Sequence, residues 1–403
     1  MKGYSHLPAA AIAGIILLAF VLGFDSYARF IEARDVEALA NNGVEQIEAG
    51  TALQEAALAD PNLLPIFGGS EVTVEDTPYT AYRFFQTYPT GFQVFDVSRA
   101  GASFLTIAQD LAALGPDLRG KKVVISFTPS TVDTHDINAS VYSGNFSHLH
   151  ASALAFSPDL DMQLKQSLAG RMLEFPQPLR DDPLLEYGLI HLAGGTILDR
   201  SLYDLGWPLG MLYVTVMRLQ DHEAIVSFIL AHPPIRPYID HNPAPIDWRR
   251  IRNAAYSEQL THTANNPYGV DEYAWSDYQN QKIVPTLPGS RDQEFRLVVL
   301  SSREWDDFEM VLQILKELDA RPLIVSRPMN GWLWEAFGVT RQTQGLYYSK
   351  LRSEMTLYPF PLIDFQQYND DKYFSLDGPS HTSREGWVYI DQTLDRFYHG
   401  SAH

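Results

Sequence analysis

The sequence predicts an α/β protein with a mostly parallel sheet, preceded by one helix that is long enough to cross a membrane. Short β-rich runs end in turn-forming residues and leave room for a helix between each pair. The C-terminal third has a strand–helix–strand order, which favours a parallel sheet with right-handed crossovers. An uncharged run from Leu7 to Phe24 lies ahead of all these elements.

The composition is that of a folded globular protein and excludes several classes of function. Of the 403 residues, 45% are hydrophobic and 20% are charged, and no low-complexity tract is present. The formal net charge of −19 argues against nucleic-acid binding, because a polyanion needs a basic patch. The absence of cysteine excludes disulfides, thiolate metal sites and a cysteine nucleophile. We expect no cofactor.

Residues 1–27 are predicted to form a membrane anchor. The run from Leu7 to Phe24 is long enough to span the hydrocarbon core of a bilayer. The polar segment that follows offers no clear small-x-small cleavage site, which favours an anchor over a cleaved signal peptide. Lys2 on one side and Arg29 and Arg34 on the other leave the positive-inside rule ambiguous. Because long domains translocate largely regardless of charge, we expect a single-pass protein with an extracytoplasmic body.

The rest of the chain is predicted to contain a stalk and one globular body. Residues 28–60 should form a helical stalk, because Ala28 to Ala59 is rich in Ala, Glu and Gln and contains no Pro. The body is predicted over residues 61–403. Within it, the block at about 151–290 is rich in Pro, Tyr and short apolar stretches, which indicates an insert of helices and loops beside the sheet.

The strands of the body are read from short apolar and β-branched runs. They are expected at Leu63–Phe67, Gln93–Val97, Val123–Phe127, Phe295–Leu300, Pro322–Val325 and within Thr356–Asp364. A helix is expected between the fourth and fifth of these runs. One apolar face of that helix is marked by Trp305, Phe308, Val311, Leu312 and Leu315.

A candidate nucleophile follows the first predicted strand. Gly68 and Gly69 permit a tight turn and a close approach of substrate, so that Ser70 would expose its hydroxyl. Ordinary strand-to-helix turns also use Gly and Ser, with the serine capping the helix. The turn alone therefore leaves both interpretations open.

A candidate base and acid lie near the C-terminus, in the segment from Ser375 to His381. A serine nucleophile needs a base such as His381, and the base needs an orienting acid such as Asp377. The alternative is a surface loop with an ordinary histidine, one of 12 in the chain. Only the combination with Ser70 favours a catalytic set.

The order of Ser70 first, then Asp377 and His381 close together at the end, resembles the SGNH hydrolase superfamily. Within it, the chain is similar to the DltD family over most of its length, including the anchor. The segments that carry the resemblance are Gly68–Glu71, Ser126–Pro129, Asn145–Ser147, Asn265–Gly269, Pro328–Trp334 and Gly386–Trp387. The resemblance implies a three-layer, flavodoxin-like, SGNH-type α/β fold with about five strands.

The same resemblance implies roles for the three residues. Ser70 would be the nucleophile, His381 the general base and acid, and Asp377 its orienting partner. Family members usually place the acid three residues before the histidine, whereas Asp377 lies four residues before His381. Asp370 and Asp371 are the alternative acids, at a greater distance along the chain.

Stabilisation of the oxyanion is also implied by the resemblance. The expected donors are the backbone of Ser70, the glycine after the second strand and an asparagine side chain near the third. Gly101 fits the second position, and Asn145 is the candidate for the third. Such donors must be preorganised around the tetrahedral oxygen.

Two other groups of residues also have possible functional interpretations. His148 and His150 form a His-x-His pair near Asp133, His135 and Asp136, which on a strand would put two imidazoles on one face of a metal site. Because no third ligand pattern accompanies them, chance proximity is favoured and no metal is expected. The insert aromatics Tyr203, Trp207 and Tyr213 would line a groove or contact a membrane, but packing in the core or at an interface is favoured.

The predicted function is serine acyl transfer or ester hydrolysis at a membrane surface. The resemblance implies D-alanylation of a cell-envelope polymer, teichoic acid or another glycolipid or polysaccharide, through a D-alanyl-seryl intermediate. The implied partners are a D-alanyl donor, the polymer or glycolipid acceptor and a membrane O-acyltransferase of the same pathway. Two alternatives stay open: a non-catalytic scaffold for a carrier protein or membrane O-acyltransferase, and an envelope O-acetyl esterase or transferase.

Overall fold

A computed structural model of the chain describes residues 6–40, 50–72, 77–234, 245–280, 286–378 and 381–400. Two residues of the C-terminal motif, Pro379 and Ser380, lie outside these ranges, as do parts of the predicted anchor and stalk. Within the described residues, the fold is mixed α/β with one sheet. The predicted fold class is therefore confirmed.

Five parallel strands form this sheet in the order β2-β1-β3-β4-β5. The strands are β1 Leu63–Gly68, β2 Gln93–Ser98, β3 Lys122–Phe127, β4 Arg321–Ser326 and β5 Leu362–Ile363. Leu63 pairs with Gln93 on one side of β1, and Ile66 pairs with Val124 on the other. This is the flavodoxin-like strand order, in which ligands bind outside the carboxyl ends at the point where the strand order reverses. Here that point lies between β1 and β3.

The helices in the described residues connect and cover these strands. They are α1 His6–Ala40, α2 Ala52–Ala59, α3 Ala81–Thr87, α4 Phe104–Leu114, α5 Ala139–Asn145, α6 His148–Phe156, α7 Met162–Leu173, α8 Pro183–Gly194, α9 Ile197–Ala231, α10 Trp248–Thr261, α11 Glu272–Asn280, α12 Asp292–Ser301, α13 Glu304–Glu317, α14 Gly331–Ala336, α15 Arg341–Glu354 and α16 Arg384–Tyr398. Short 3-10 helices lie at Gly115–Leu118, Pro129–Thr131, Met355–Leu357 and Gln366–Tyr368. Helices α6 to α11 fall within or overlap the block predicted as an insert.

Successive residues of the central strands are buried in two cores, one on each face of the sheet. In β3, Val123 and Ile125 join the larger cluster of buried side chains, whereas Val124 joins the second one. The predicted apolar face of α13 is confirmed, because its members Trp305 and Phe308 are buried in the larger cluster. The second cluster is covered from the other side by α3 and α16. Side-chain alternation thus produces the three layers.

One predicted strand is wrong. The run Phe295–Leu300 lies in helix α12, not in a strand. Phe295 and Val299, four residues apart, are buried, whereas Leu297 and Leu300 are exposed. Burial of residues four apart is helical periodicity, and a run of six residues is too short to reveal it. The other predicted strands coincide with β1 to β5.

Helix α1 runs without a break from an apolar segment into the body. Its residues Pro8–Ala40 include a stretch that is long and apolar enough to cross a membrane, and that stretch is exposed. From Ala28 onward the helix packs on the body, where Ile31 and Val36 are buried in the larger core. His222 of α9 contacts Glu32 of α1, with Nδ1 2.7 Å from Oε1.

Candidate active site

The structure brings Ser70 next to two residues near the C-terminus, Asp377 and His381. Ser70 follows β1, and His381 lies just before α16. The Ser70 Oγ is 3.0 Å from Nε2 of His381, within hydrogen-bond distance. On the other side of the ring, Nδ1 of His381 is 2.5 Å from Oδ2 of Asp377. The nucleophile–base and base–acid contacts that acyl transfer requires are therefore both present.

Asp377 holds His381 through two atoms. Its Oδ1 accepts a hydrogen bond from the backbone N–H of His381 at 2.8 Å, while Oδ2 faces the ring. A carboxylate at Nδ1 favours the tautomer with its proton on that nitrogen, which leaves Nε2 free to accept the Ser70 proton. The alternative acids lie elsewhere: Asp370 pairs with Arg341, and Asp371 accepts from the backbone N–H of Tyr373.

The turn after β1 is built around two glycines and one buried carboxylate. A Cβ on Gly68 would lie 2.7 Å from Oε1 of Glu71 and 3.0 Å from the backbone oxygen of Ser126. Gly69 donates its backbone N–H to Oε1 of Glu71 at 3.0 Å. The glycines are therefore required by close packing, and the Glu71 side chain folds back to hold the turn that presents Ser70.

Gly101 lies beside Ser70 at the end of the neighbouring strand. Its φ of +74° is a conformation that favours glycine, and a Cβ there would lie 2.5 Å from Cγ1 of Val141. Both Gly101 and Ser70 line the same cavity. Within the described residues, neither backbone N–H has a hydrogen-bond acceptor. Two donors are thus available at this edge of the sheet.

Asn145 contacts the turn that contains Gly101. Its Nδ2 donates to the backbone oxygen of Ala100 at 3.0 Å, and its own backbone oxygen accepts from Nη1 of Arg99 at 3.3 Å. A Cβ on Gly101 would lie 3.8 Å from Nδ2 of Asn145. The Asn145 amide therefore holds the turn through Ala100 and keeps one further N–H on the same nitrogen.

The loop that carries Asp377 is braced by groups whose roles the sequence did not reveal. The Asn330 side chain, fully buried, donates to the backbone oxygens of Tyr268 at 2.8 Å and Lys372 at 3.2 Å. The Tyr278 hydroxyl donates to the backbone oxygen of Asp377 at 2.6 Å. The matched Asn-containing segments around positions 265–269 and 328–334 therefore meet at this loop, and that shared contact is their structural explanation.

Arg327 holds the other side of the same loop. The guanidinium is buried, contacts the Thr382 hydroxyl and lies 4.5 Å from the centre of the Trp387 ring. Burial lowers the pKa of Arg327 to about 10, opposed by the nearby charges of Glu71 and Asp391. Because Thr382 follows His381 directly, Arg327 links the turn at Glu71 to the histidine.

A small cavity opens beside Ser70. Its volume is about 270 Å³, and its wall includes Ser70, Gly101, Thr128, Asn138 and Glu304. Drug-sized ligands usually occupy pockets of about 300–1,000 Å³, so this cavity suits a smaller group. Polar side chains at the ends of β1 to β3 therefore surround a space adjacent to the serine hydroxyl.

The His-x-His pair has separate partners. Both residues lie on helix α6, not on a strand. His150 is buried, with Nδ1 2.5 Å from Oδ1 of Asp110, whereas Nδ1 of His148 is 3.4 Å from Oδ2 of Asp182. In the described ranges, no group of three or more His, Asp or Glu side chains has the arrangement of a metal site.

The insert aromatics pack through hydrogen bonds to buried groups. The Tyr203 hydroxyl donates to the backbone oxygen of Ala155 at 2.7 Å, and Nε1 of Trp207 donates to that of Phe156 at 3.0 Å. The Tyr213 hydroxyl donates to Oδ2 of Asp182 at 3.0 Å. Packing, the interpretation favoured from the sequence, is confirmed for Tyr203, which belongs to the larger core, and for Trp207, which packs against it, whereas Tyr213 is half-buried.

Known proteins show similarity along nearly the whole chain. The model of the family described as DltD protein matches residues 41–399. Protein DltD of Bacillus subtilis (strain 168) is 28% identical over 392 residues, which cover 96% of each chain. Protein DltD of Staphylococcus aureus (strain NCTC 8325 / PS 47) is 22% identical over 401 residues, covering 99% of this chain and 97% of that protein. Because the family match spans most of its length, the chain belongs to the DltD family.

Proposed function

We propose that the protein is a membrane-anchored, extracytoplasmic serine acyltransferase that takes part in D-alanylation of a cell-envelope polymer. The observation that carries the proposal is the contact series from the Ser70 hydroxyl through the His381 ring to Asp377, with distances of 3.0 Å and 2.5 Å. Membership of the DltD family supports D-alanyl as the acyl group. The strand order supports an SGNH-type fold for the body.

In the proposed first step, Nε2 of His381 takes the Ser70 proton as Oγ attacks the carbonyl carbon of a D-alanyl donor. A tetrahedral intermediate forms, and its collapse breaks the bond to the leaving group, which takes the proton from His381. In the second step an acceptor hydroxyl attacks the seryl ester, again with His381 as base. Ser70 is thereby regenerated, and the acceptor carries the D-alanyl group.

The proposed oxyanion donors are the backbone N–H groups of Ser70 and Gly101. Support comes from their place on one cavity and from the lack of an acceptor for either group within the described residues. Asn145 is proposed to contribute at this site as well, through its hold on the Ala100 carbonyl beside Gly101. Removal of one such donor typically slows acyl transfer by about a hundredfold or more.

The proposed anchor is the apolar first half of α1. Its exposure and length support a single transmembrane span, with the body outside the cytoplasm. This placement would give the site access to a lipid-linked acceptor, a D-alanyl donor and a membrane O-acyltransferase. Competition with water decides whether acyl groups reach the acceptor, because a seryl ester open to solvent is hydrolysed.

The proposal is tested by ester-linked D-alanine in the envelope of cells that produce only the Ser70→Ala protein. Wild-type cells and cells without the protein give the two limits, with equal protein level and membrane location verified by immunoblot. Loss of D-alanine to the level of the deletion supports a nucleophilic role. A wild-type amount of D-alanine contradicts catalysis and supports the scaffold, since that role needs the fold and not the hydroxyl.

A further inference from the structure

One buried acid in the cavity beside Ser70 is not used by the proposed reaction. Glu304 is the first residue of α13 and lines the cavity, although only 3% of its surface is exposed. Its Oε2 accepts the backbone N–H of Phe104 at 3.0 Å. Within the described residues, no hydrogen-bond donor contacts Oε1, and no Lys, Arg or His pairs with this carboxyl group.

Helix capping accounts for only one oxygen of Glu304. At the N-terminus of α4, the Ser103 hydroxyl accepts from the backbone N–H of Thr106 at 3.2 Å, and Oε2 of Glu304 accepts from that of Phe104. Within the described residues, this leaves Oε1 without a donor. Neighbouring acids on the same side of the body are neutralised: Arg171 binds Asp307 with Nε 3.0 Å from Oδ1, and it also binds Asp136. A buried carboxyl group carries its charge only when a cation pairs with it, so a place on the wall of a cavity suits Glu304 to a cationic ligand.

We propose that Glu304 is the counter-ion for the ammonium group of an aminoacyl substrate, and that it makes the cavity beside Ser70 select aminoacyl over plain acyl groups. The inference rests on the proposed function and adds its selectivity. In an α-aminoacyl ester, the ammonium nitrogen is two bonds from the carbonyl carbon that Oγ of Ser70 attacks. Ser70 and Glu304 line the same cavity, so an aminoacyl group that enters it with its carbonyl at Ser70 can present its ammonium to Glu304.

The electrostatics agree with this role. Burial, together with the charge of Asp307, raises the pKa of Glu304 to about 8, so the empty site keeps the acid largely protonated at neutral pH. A bound ammonium favours the charged carboxylate, since an opposite charge in contact stabilises the ionised form. On binding, Glu304 releases its proton to solvent and forms a salt bridge with the ammonium in a site of low dielectric.

The test compares two esters of one alcohol, 4-methylumbelliferone, that have nearly the same shape. D-alanyl carries an ammonium, and isobutyryl carries a methyl in its place. Full-length wild-type protein in detergent should prefer the D-alanyl ester in kcat/KM, after subtraction of the Ser70→Ala rate. The Glu304→Gln variant keeps an oxygen for the Phe104 N–H. Its kcat/KM for the D-alanyl ester should be about 10- to 100-fold lower than that of the wild type, which is the usual effect of losing a charged hydrogen bond. Turnover of the isobutyryl ester should stay within about twofold.

Glu317→Gln serves as the matched control. Glu317 lies on the same helix, and its Oε2 accepts the backbone N–H of Asp161 at 2.9 Å, which is the same kind of bond outside the cavity. Equal effects of Glu304→Gln on both esters overturn the Glu304 proposal and leave the serine mechanism standing. Absence of Ser70-dependent turnover of either ester by the wild type overturns both proposals.

A measurement on the wild type covers the case in which Glu304→Gln does not fold. D-alaninamide carries an ammonium where isobutyramide carries a methyl, which is the same difference as between the two esters. Neither amide contains an ester bond that Ser70 could cleave, so both act as inhibitors. D-alaninamide should inhibit isobutyryl ester turnover with an inhibition constant at least about tenfold lower than that of isobutyramide. Equal inhibition constants overturn the assignment of Glu304 as a counter-ion.

Discussion

Asp377 binds both the backbone and the ring of His381, with Oδ1 2.8 Å from the backbone nitrogen and Oδ2 2.5 Å from Nδ1. Gly378, the residue after Asp377, has φ +91°, a conformation that favours glycine. A Cβ on Gly378 would lie 2.2 Å from Cδ2 of Leu333. The four-residue spacing between acid and histidine therefore still brings the ring of His381 to its carboxylate.

The Asp377→Asn variant should lose activity without losing its fold. The amide keeps an oxygen for the backbone N–H of His381, and its nitrogen then faces Nδ1. Because an amide nitrogen donates, it favours the tautomer with the ring proton on Nε2, which cannot accept the Ser70 proton. We expect kcat to fall by about ten-thousand-fold, as in other triads with this change. Ester hydrolysis measures the effect, and circular dichroism verifies the fold. A loss of less than about tenfold contradicts an orienting role for Asp377.

Tyr278→Phe should weaken catalysis modestly by loosening the loop. It removes the hydrogen bond to the backbone oxygen of Asp377, and a bond of this kind contributes about 0.5–1.5 kcal/mol. We expect kcat to fall by roughly two- to tenfold. Tyr187→Phe is the control, because its hydroxyl donates to the backbone oxygen of Leu202 at 3.0 Å, between α8 and α9. Equal losses of activity in the two variants would show that only general stability is affected.

The Asn330→Asp variant distinguishes two roles of this side chain, which caps the N-terminus of α14 and donates hydrogen bonds to the loop that carries Asp377. The carboxylate retains an acceptor for the backbone N–H of Leu333, which Asn330 caps at 3.1 Å. It loses the two donor bonds to Tyr268 and Lys372 and places a charge against their oxygens. We expect destabilisation of about 2–4 kcal/mol. Hydrogen exchange should rise first around residues 372–378, and an unchanged exchange rate there argues against the brace.

Gly101→Ala should impair the site in two separable ways. The positive φ costs a residue with a Cβ about 1–2 kcal/mol, and the new methyl meets Val141. The double variant Gly101→Ala with Val141→Ala relieves the second effect alone. We expect it to recover part of the melting temperature and none of the loss in kcat, if the Gly101 backbone binds the oxyanion. Full recovery of kcat would mean that the alanine acts only by steric clash.

Burial of Glu385 predicts how stability depends on pH. Its pKa is raised from 4.5 to about 8, mainly by burial and then by the charge of Asp371. The folded state holds this proton where the unfolded chain releases it, so the contribution is complete below pH 4.5 and is lost as pH rises through about 8. Relative to wild type, Glu385→Gln should gain stability across this window, by at most about 1.4 kcal/mol per pH unit. Urea unfolding at pH 5 and pH 8 measures this, and parallel profiles contradict it.

Local patterns predicted the strands that are buried and bounded by turns. Val123–Phe127 has few alternatives, since it is rich in β-branched residues and ends at a proline-containing turn. The run Phe295–Leu300 is also mostly apolar, but α12 packs only Phe295 and Val299 inward. That choice depends on which surfaces neighbouring elements cover, and a short run does not encode it.

In the candidate site too, some residues are predictable from a local pattern and others only from the packing of the fold. Ser70, Gly101 and the Asp377–His381 loop each carry a local signal, a glycine turn or an acid near a histidine, and the family resemblance links them. Glu304 has no such local signal. An acid in the first turn of a helix usually faces solvent, where it interacts favourably with the helix dipole, so its position in the sequence does not indicate a site. Only the packing of α13 against α4 buries it beside the cavity.

The unbroken course of α1 has a mechanical consequence. If its first half spans the bilayer as proposed, the protein has no hinge between lipid and body within the described part of this helix, because the same helix packs into the core from Ala28 onward. Tilting of the span would then swing the whole body, and the catalytic serine would travel on an arc of fixed radius. Ser70 would stay at a fixed distance from the anchor, so acceptors must reach it by their own length or flexibility.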